Sequence, residues 1–165
     1  MKLTAIIAPL LELVPVCTAN FDIYMNNAWT VQGGSTGWTI FEADPPCGQV
    51  NNAIIYGNYG DVSGSYIGVR CVGDCFPSNK PDGIQVLEMH FNNNPLYHWI
   101  SFFDQRSTKT AGTTNKMYGL DGNVYGECIL FPGHNYRCDA FGITEGYRKF
   151  RCLTQFTARQ ITGRN

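Results

Sequence analysis

The segment LEMHFNNNPLYHWISFFDQR, residues 87–106, contains two runs in which apolar and polar residues alternate, separated by Asn92-Asn93-Asn94-Pro95. A period of two is typical of half-buried β-strands, and a break of Asn and Pro residues is typical of the turn between them. The segment therefore predicts a β-hairpin. We expect a register in which the apolar side chains of both strands meet, because a slip of one residue would move half of them into water. These side chains are Leu87, Met89 and Phe91 on the first strand, and Tyr97, Trp99 and Phe103 on the second.

The opposite face of this hairpin carries titratable residues. It holds Glu88 and His90 from the first strand and His98 and Asp104 from the second, with His90 across from His98 and Cβ atoms roughly 5 Å apart. Histidine beside a carboxylate can transfer protons near neutral pH, which makes these four residues the candidate catalytic group. His90, His98 and one of the carboxylates also suggest a metal site. The reading we favour is an ordinary polar face turned to solvent.

The apolar residues on that polar face leave a further possibility, namely that a loop or a partner covers part of it. They are Ile84, Val86, Ile100 and Phe102.

The rest of the chain repeats this pattern of short β-type runs punctuated by Gly and Asn. Asp121-Gly122 lies between two such runs, as the turn of a second hairpin would. No stretch of ten residues has a convincing helical period. The pattern predicts an all-β, single-domain fold, an antiparallel β-sandwich or a small barrel.

The first 19 residues are typical of a secretory signal peptide, with Lys2 at the start, an apolar stretch after it and small residues at Cys17-Thr18-Ala19. Residues 20–165 then form one secreted β domain. Cleavage after Ala19 removes one of the seven cysteines and leaves an even set, which in an oxidising compartment predicts three disulfides. The six are Cys47, Cys71, Cys75, Cys128, Cys138 and Cys152.

The pairing of these cysteines is open. One arrangement joins Cys128 to Cys138 and Cys47 to Cys152, which leaves Cys71 and Cys75 to pair across a tight turn. A zinc site at Cys71, Cys75, His134 and Cys138 is the alternative, but it would need thiolates that escape oxidation. We therefore expect no metal and no cofactor.

Charge is distributed unevenly along the chain. Residues 20–146 have a net charge of −6, whereas residues 147–165 have five basic residues and no acidic one. Lys149 and Arg151 would share one face of a strand and form a candidate binding row for a phosphate, an acidic glycan or an acidic protein. We favour docking of this row against the acidic remainder of the domain. A net charge of −1 does not favour a general nucleic-acid binder.

In its layout the chain resembles the small cysteine-stapled secreted proteins of filamentous fungi, many of which act on a host as effectors or elicitors. The resemblance implies a secreted interaction protein, rather than an enzyme, whose partner is a host extracellular protein or glycan. No apolar run after the first 19 residues approaches the ~18 residues that a membrane span needs, so we expect no span. Its working surface is expected on loops 73–83, 105–116 and 131–146. One alternative is a small hydrolase, a ribonuclease or a glycan-cleaving enzyme, using Glu88, His90, His98 and Asp104. The other is a lectin-like domain using Trp29, Trp38 or Trp99.

Overall fold

A computed structural model describes residues 19–31, 33–103, 114–139 and 142–163. The predicted signal peptide lies outside these ranges except for Ala19, and Asp104 and most of loop 105–116 also lie outside them. The described strands are β1 (Ala19–Thr30), β2 (Gly33–Phe41), β3 (Tyr56–Gly57), β4 (Gly68–Gly73), β5 (Ile84–His90), β6 (His98–Phe102), β7 (Thr114–Gly119), β8 (Val124–Leu130), β9 (Tyr136–Cys138) and β10 (Ile143–Thr154). The helices are α1 (Cys47–Val50) and α2 (Ala158–Thr162), with single 3-10 turns at Pro81–Gly83 and Pro95–Tyr97.

The described strands form one antiparallel sheet in the order β3-β2-β1-β10-β8-β7-β6-β5-β4, with β9 attached to β10. A parallel bridge between Asn58, just after β3, and Val69 of β4 brings the two ends of this order together. The sheet is therefore a nearly closed barrel. The all-β class is confirmed, in its barrel form, and closure protects edge strands that would otherwise be free to pair with other chains.

The hairpin of β5 and β6 has the expected register. Met89 lies opposite Trp99 and His90 opposite His98 in the pairing of β5 with β6. The turn between the strands is capped by Asn94, whose side chain accepts a hydrogen bond of 3.0 Å from the backbone N–H of Leu96. The capped turn lies between the two strands, and the apolar alternation of both strands requires this register.

The barrel interior is filled by aromatic and aliphatic side chains from every wall. Phe91 is central, with ring centroids 4.9 Å from Tyr56, 6.0 Å from Phe21 and 6.1 Å from Trp99. Burying each such side chain stabilises the fold by about 1.5–3 kcal/mol. Trp38 is also fully buried, and its indole N–H donates to the side chain of Asn58 at 3.2 Å.

A second apolar cluster lies outside the barrel, on the outward face of β1 and β2. Tyr24 and Phe41 pack there against Val50 of α1 and against Cys138 and Tyr136 of β9. A disulfide between Cys47 and Cys138 joins the same two covering segments. This cover forms one side of the candidate functional site described below.

The three disulfides within the described residues are Cys47–Cys138, Cys71–Cys75 and Cys128–Cys152. The expected Cys71–Cys75 bridge is confirmed, whereas the pairs Cys128–Cys138 and Cys47–Cys152 were wrong. Cys128 faces Cys152 directly across β8 and β10, with Cα atoms 4.0 Å apart.

The register of β10 explains the error. Cys138 lies beside Thr144 of β10, and Cys128 lies beside Cys152 of the same strand. Eight residues of strand separate these positions by roughly 26 Å. A disulfide requires Cα atoms within about 7 Å, so Cys128 and Cys138 are out of reach of each other. Because the cysteines are oxidised, they cannot act as the zinc thiolates of the alternative reading.

The described helices are short. The longer of the two, α2, has five residues. None of the helices in the described ranges has the length and hydrophobicity needed to cross a membrane.

Candidate functional site

The hairpin brings three of the predicted site residues together on the outer side of β5 and β6. The imidazole rings of His90 and His98 stack with centroids 4.4 Å apart and an interplanar angle of 5°. Nε2 of His98 donates to Oε1 of Glu88 at 2.9 Å. Arg70 of β4 donates from Nε to Oε2 of the same carboxylate at 2.7 Å. We call Arg70, Glu88, His90 and His98 the imidazole stack.

The imidazole stack is closed to solvent on its histidine side. Glu88, His90 and His98 are 6%, 4% and 3% exposed. Nδ1 of His90 donates to the carbonyl of Val62 at 3.0 Å, and Val62 is itself fully buried. The expectation that this face is turned to solvent was therefore wrong at the end that carries the histidines, because the loop of residues 58–67 lies over it. A substrate has no route to these imidazoles while that loop is in place.

The loop reaches the sheet because β4 has a glycine at the point of contact. Gly68 lies opposite His90, and a Cβ atom there would be 2.5 Å from the ring of Tyr59 and 2.8 Å from the carbonyl of Gly57. Any other residue would push the loop away from the sheet. The alternation of β5 and β6 contains no information about this contact, so the pattern alone could not reveal the burial.

A second group of titratable residues, whose meeting the sequence did not predict, lies beside the outer cover. Oδ2 of Asp44 is 2.5 Å from Nδ1 of His134, and both side chains are well exposed, at 49% and 67%. Oδ1 of Asp44 accepts from Nη1 of Arg148 at 2.9 Å and from the hydroxyl of Tyr24 at 3.3 Å. Burial raises the pKa of Tyr24 above its ordinary value, so the hydroxyl stays a donor.

The carboxylate of Asp22 continues this network into the protein. Asp22 is fully buried and accepts from Nη1 of Arg148 at 3.0 Å. Arg151 donates to both its oxygens, from Nε at 2.6 Å and from Nη2 at 2.8 Å, and this hydrogen bonding raises the pKa of Arg151 above its ordinary value. Both guanidinium groups lie over the ring of Phe131, at 4.2 and 4.3 Å from its centroid. We call Asp22, Asp44, His134, Arg148 and Arg151 the charge chain.

The predicted basic row on β10 is divided between two environments. Arg151 pairs with Asp22, as the reading of docking within the domain anticipated. Lys149, in contrast, is 1% exposed and donates to the carbonyls of Phe76 at 3.0 Å and Pro77 at 2.7 Å, and also to that of Asn79. Burial lowers the pKa of Lys149 to about 8.

An outward basic row containing Lys149 was therefore wrong, and a β-bulge gives the reason. The pairing of β10 with β1 shifts so that Phe150 lies opposite Ile23 while Arg148 lies opposite Tyr24, which leaves Lys149 as the extra residue. A bulge interrupts strict alternation and redirects the side chain.

The backbone of His134 has a conformation that few side chains adopt. Its φ is 50°, directly after Gly133 at 101°, and the following residue, Asn135, accepts the backbone N–H of Arg148 at 3.2 Å. Such a conformation costs about 1–3 kcal/mol and is often found where a side chain is held for a purpose. The segments that carry the pair are joined covalently, since Asp44 is three residues before Cys47 and His134 four residues before Cys138.

A groove of about 680 Å³ adjoins Asp44. Its walls are the end of β2, the segment from Glu42 to Ile54, and α2, and its polar side chains are Glu42, Asp44, Gln49, Asn52, Arg159 and Thr162. Nδ1 of His134 is the ring nitrogen in contact with Asp44, so Nε2 is not engaged by that carboxylate, and no hydrogen bond to Nε2 is present among the described residues. This pair could accept a proton from a ligand in solution. Among the described residues, no group of three or more His, Cys, Asp or Glu is arranged to hold a metal ion.

The sequence offered little signal for this site. Asp44 and His134 are 90 positions apart, and neither belongs to an alternating strand. The Pro-Gly-His-Asn stretch is a turn signal, and only the fold brings a carboxylate to it.

The tryptophans of the lectin reading differ in exposure. Trp38 and Trp99 are fully buried in the core, and Trp29 is 43% exposed. Of the three tryptophans, only Trp29 is open to a stacking sugar.

Comparison with known proteins gives no relative from which a function could be transferred. No protein-family model, curated protein or solved structure is significantly similar to this chain. What the described residues define is a disulfide-stapled β-barrel domain with one sealed and one open group of titratable side chains.

Proposed function

We propose that this protein is a secreted, disulfide-stapled interaction protein of the effector or elicitor type, which acts outside the producing cell on a host. The observation that carries the proposal is the burial of Glu88, His90 and His98, because it removes solvent access from the face that an acid–base enzyme would need. The disulfides support an oxidising compartment.

The loop 73–83 supports a binding role in a more specific way. Phe76 is 58% exposed at its surface. The loop behind Phe76 is tied by the Cys71–Cys75 disulfide, by the bonds from Lys149 to three of its carbonyls, and by a 2.6 Å bond from Asn79 to Asp74. An aromatic side chain on a preorganised loop loses little entropy when it inserts into a partner, which is how interface anchors reach high affinity.

The test is ion leakage from leaf tissue infiltrated with the purified, oxidised protein and with the variant Phe76→Ala. Tyr66→Ala is the matched control, since Tyr66 is an exposed loop aromatic outside loop 73–83. We expect leakage with the wild type and with Tyr66→Ala, and a loss of at least about tenfold in potency with Phe76→Ala, which corresponds to about 1.4 kcal/mol of binding. Full activity of Phe76→Ala would remove this loop from the working surface. A wild type that neither causes leakage nor is retained on leaf cell-wall material would overturn the proposal.

A second candidate function, a small hydrolase, is supported by the Asp44–His134 pair rather than by the residues first suspected. A carboxylate that lines a groove and contacts an exposed imidazole is the arrangement of a general base and its positioning group. In this reading Nε2 of His134 takes a proton from a water or a hydroxyl, and Asp44 stabilises the resulting imidazolium.

Hydrolysis of RNA and of neutral oligosaccharides, followed across pH, tests this candidate. The hydrolase reading expects activity with a bell-shaped pH dependence that His134→Ala abolishes and Glu145→Gln leaves intact. The absence of turnover on every substrate in the wild type, or equal activity in His134→Ala, would end it.

A further inference from the structure

The imidazole stack holds two titratable rings in contact and has one carboxylate for both of them. The rings of His90 and His98 lie face to face with centroids 4.4 Å apart, and both residues are buried. Glu88 accepts from His98 at 2.9 Å, but the same carboxylate is also paired with Arg70 at 2.7 Å. One protonated ring therefore has Glu88 as a counter-charge, whereas a second would place two like charges in contact away from water.

The other charged and titratable side chains around the rings do not relieve this repulsion. On the neighbouring strands β4 and β7 and on the loop of residues 58–67 they are Arg70, Lys116, Tyr118, Tyr59, Asp61 and Tyr66. Asp61 is the one further carboxylate in this set, and it is exposed and bound to the backbone N–H and the hydroxyl of Ser63, at 2.8 and 3.0 Å. Arg70 and Lys116 add positive charge.

His90 also holds the loop of residues 58–67 against the sheet. Its Nδ1 donates to the carbonyl of Val62 at 3.0 Å, and Val62 is fully buried. The same loop closes the barrel, because it connects β3 to β4. There the backbone N–H of Tyr59 donates to the carbonyl of Val69 at 3.0 Å, beside the parallel bridge of Asn58 with Val69. A change in the imidazole stack therefore reaches the seam at which the barrel closes.

We propose that the imidazole stack is a pH-sensitive switch, which keeps the loop of residues 58–67 closed at neutral pH and releases it in acid, when both rings become protonated. No hydrogen bond to Nε2 of His90 or to Nδ1 of His98 is present among the described residues, so each ring has a nitrogen that can take up a proton. Free imidazoles do so below about pH 6.5.

The direction of the switch follows from proton linkage. Once the loop is open, water reaches both rings and screens their charges, so the open form binds the second proton more readily than the closed form. The form that binds more protons gains population as the pH falls, and acid therefore favours the open loop. This switch is independent of the proposed function, because it needs neither a host partner nor a substrate.

Amide hydrogen exchange of the purified, oxidised protein tests the switch. It is measured at about pH 7.5 and about pH 5, on the two sides of the range in which histidine titrates. After correction for the intrinsic pH dependence of exchange, the amide of Tyr59 should lose at least about tenfold of its protection at the lower pH. The amides of β10, in the middle of the strand order, should keep theirs.

Two variants separate the charge of the rings from their hydrogen bonds. His90→Asn keeps a donor near the position of Nδ1 for Val62, and His98→Gln keeps one near the position of Nε2 for Glu88. Each leaves a single ring to be protonated, so the loop should stay protected at about pH 5. His134→Gln, at the third histidine of the chain and outside the stack, is the matched control and should respond as the wild type.

A wild-type loop that keeps its protection at about pH 5 overturns the proposal. A loss of protection that is as large in His90→Asn and His98→Gln as in the wild type also overturns it, because protonation of Glu88 or Asp61 would then open the loop. If one variant is already open at about pH 7.5, the other decides. If both are, the hydrogen bonds of the rings rather than their charge hold the loop, and the proposal fails.

Discussion

The imidazole stack and the charge chain are built from the same kinds of side chain but differ in their access to water. In the imidazole stack, all three acid–base groups are under 10% exposed, and the loop 58–67 closes over the histidines. In the charge chain, Asp22 and Arg148 are buried while Asp44 and His134 remain exposed, and Asp44 lines a groove. Titratable residue types by themselves are therefore a poor guide to function, since the cover above them decides what they can do.

The largest effect is expected from the disulfide that holds the open site. Cys47→Ser/Cys138→Ser removes a link between residues 91 positions apart, which the chain-entropy model values at about 4–5 kcal/mol of unfolding free energy. Cys71→Ser/Cys75→Ser opens a link of four positions and should cost about 2 kcal/mol in the same model. Urea denaturation of both variants measures the difference. Equal losses would show that the segment joined to β9 is held mainly by packing.

Breaking the buried part of the charge chain should follow closely. Asp22→Ala leaves the guanidinium groups of Arg148 and Arg151 without their shared buried partner, and the expected loss is about 3–5 kcal/mol. Arg137→Ala is the control, because the Arg137 side chain is 56% exposed in its ion pair with Glu145. Denaturant unfolding of both variants measures the difference, and the control should lose at most about 1 kcal/mol. A loss below about 1 kcal/mol for Asp22→Ala would contradict the view that the charge chain is anchored in the core.

The imidazole stack should respond to the loss of its carboxylate by a smaller amount. Glu88→Ala leaves His98 with a buried N–H that has no acceptor, at a cost of about 1–3 kcal/mol. Glu42→Ala, at an exposed carboxylate, should stay within about 0.5 kcal/mol of the wild type. Amide exchange in the loop 58–67 should also accelerate in Glu88→Ala. A stable variant with unchanged exchange would show that the loop does not depend on the stack.

Lys149 is a buried cation whose hydrogen bonds among the described residues go to backbone carbonyls, and it allows a test by pH. Because burial lowers the pKa of Lys149 to about 8 from an ordinary value of 10.5, the unfolded chain binds more protons than the folded one between those two pH values. The free energy of unfolding should therefore rise with pH across this window. Lys149→Met should abolish this rise, and denaturant unfolding of both proteins at several pH values measures it. A falling curve in the wild type would mean that the carbonyls of residues 76, 77 and 79 hold the charged form more strongly than burial opposes it.

The smallest stability effect is expected at the exposed end of the charge chain. His134→Ala removes a surface pair with Asp44 and leaves a non-glycine residue at the same positive φ, so the unfolding free energy should change by less than about 1 kcal/mol. His134→Gly should be at least as stable as His134→Ala, because glycine adopts this conformation without strain. Thermal melts of the two variants decide this. A loss above about 2 kcal/mol in both would make the pair a structural element.

Much of the local structure could be predicted from the sequence alone. The period-two alternation at residues 87–106 determined the hairpin and placed His90 opposite His98, because only one register buries the apolar set. The Asp121-Gly122 signal likewise marks the turn between β7 and β8, with Gly122 at a φ of 79°. The short spacing of Cys71 and Cys75 also allowed their bridge to be predicted.

Only the tertiary structure decided which of these groups face water. The pairing of Cys47 with Cys138 and the meeting of Asp44 with His134 depend on segments about 90 positions apart, and the burial of Lys149 depends on a bulge in the pairing of β10 with β1. Alternation specifies the two sides of a strand, but it does not show which loop or segment later packs on one of them. The sequence therefore determined the strands and which titratable groups share a face, and the long-range packing determined that one group is sealed while the other stays open.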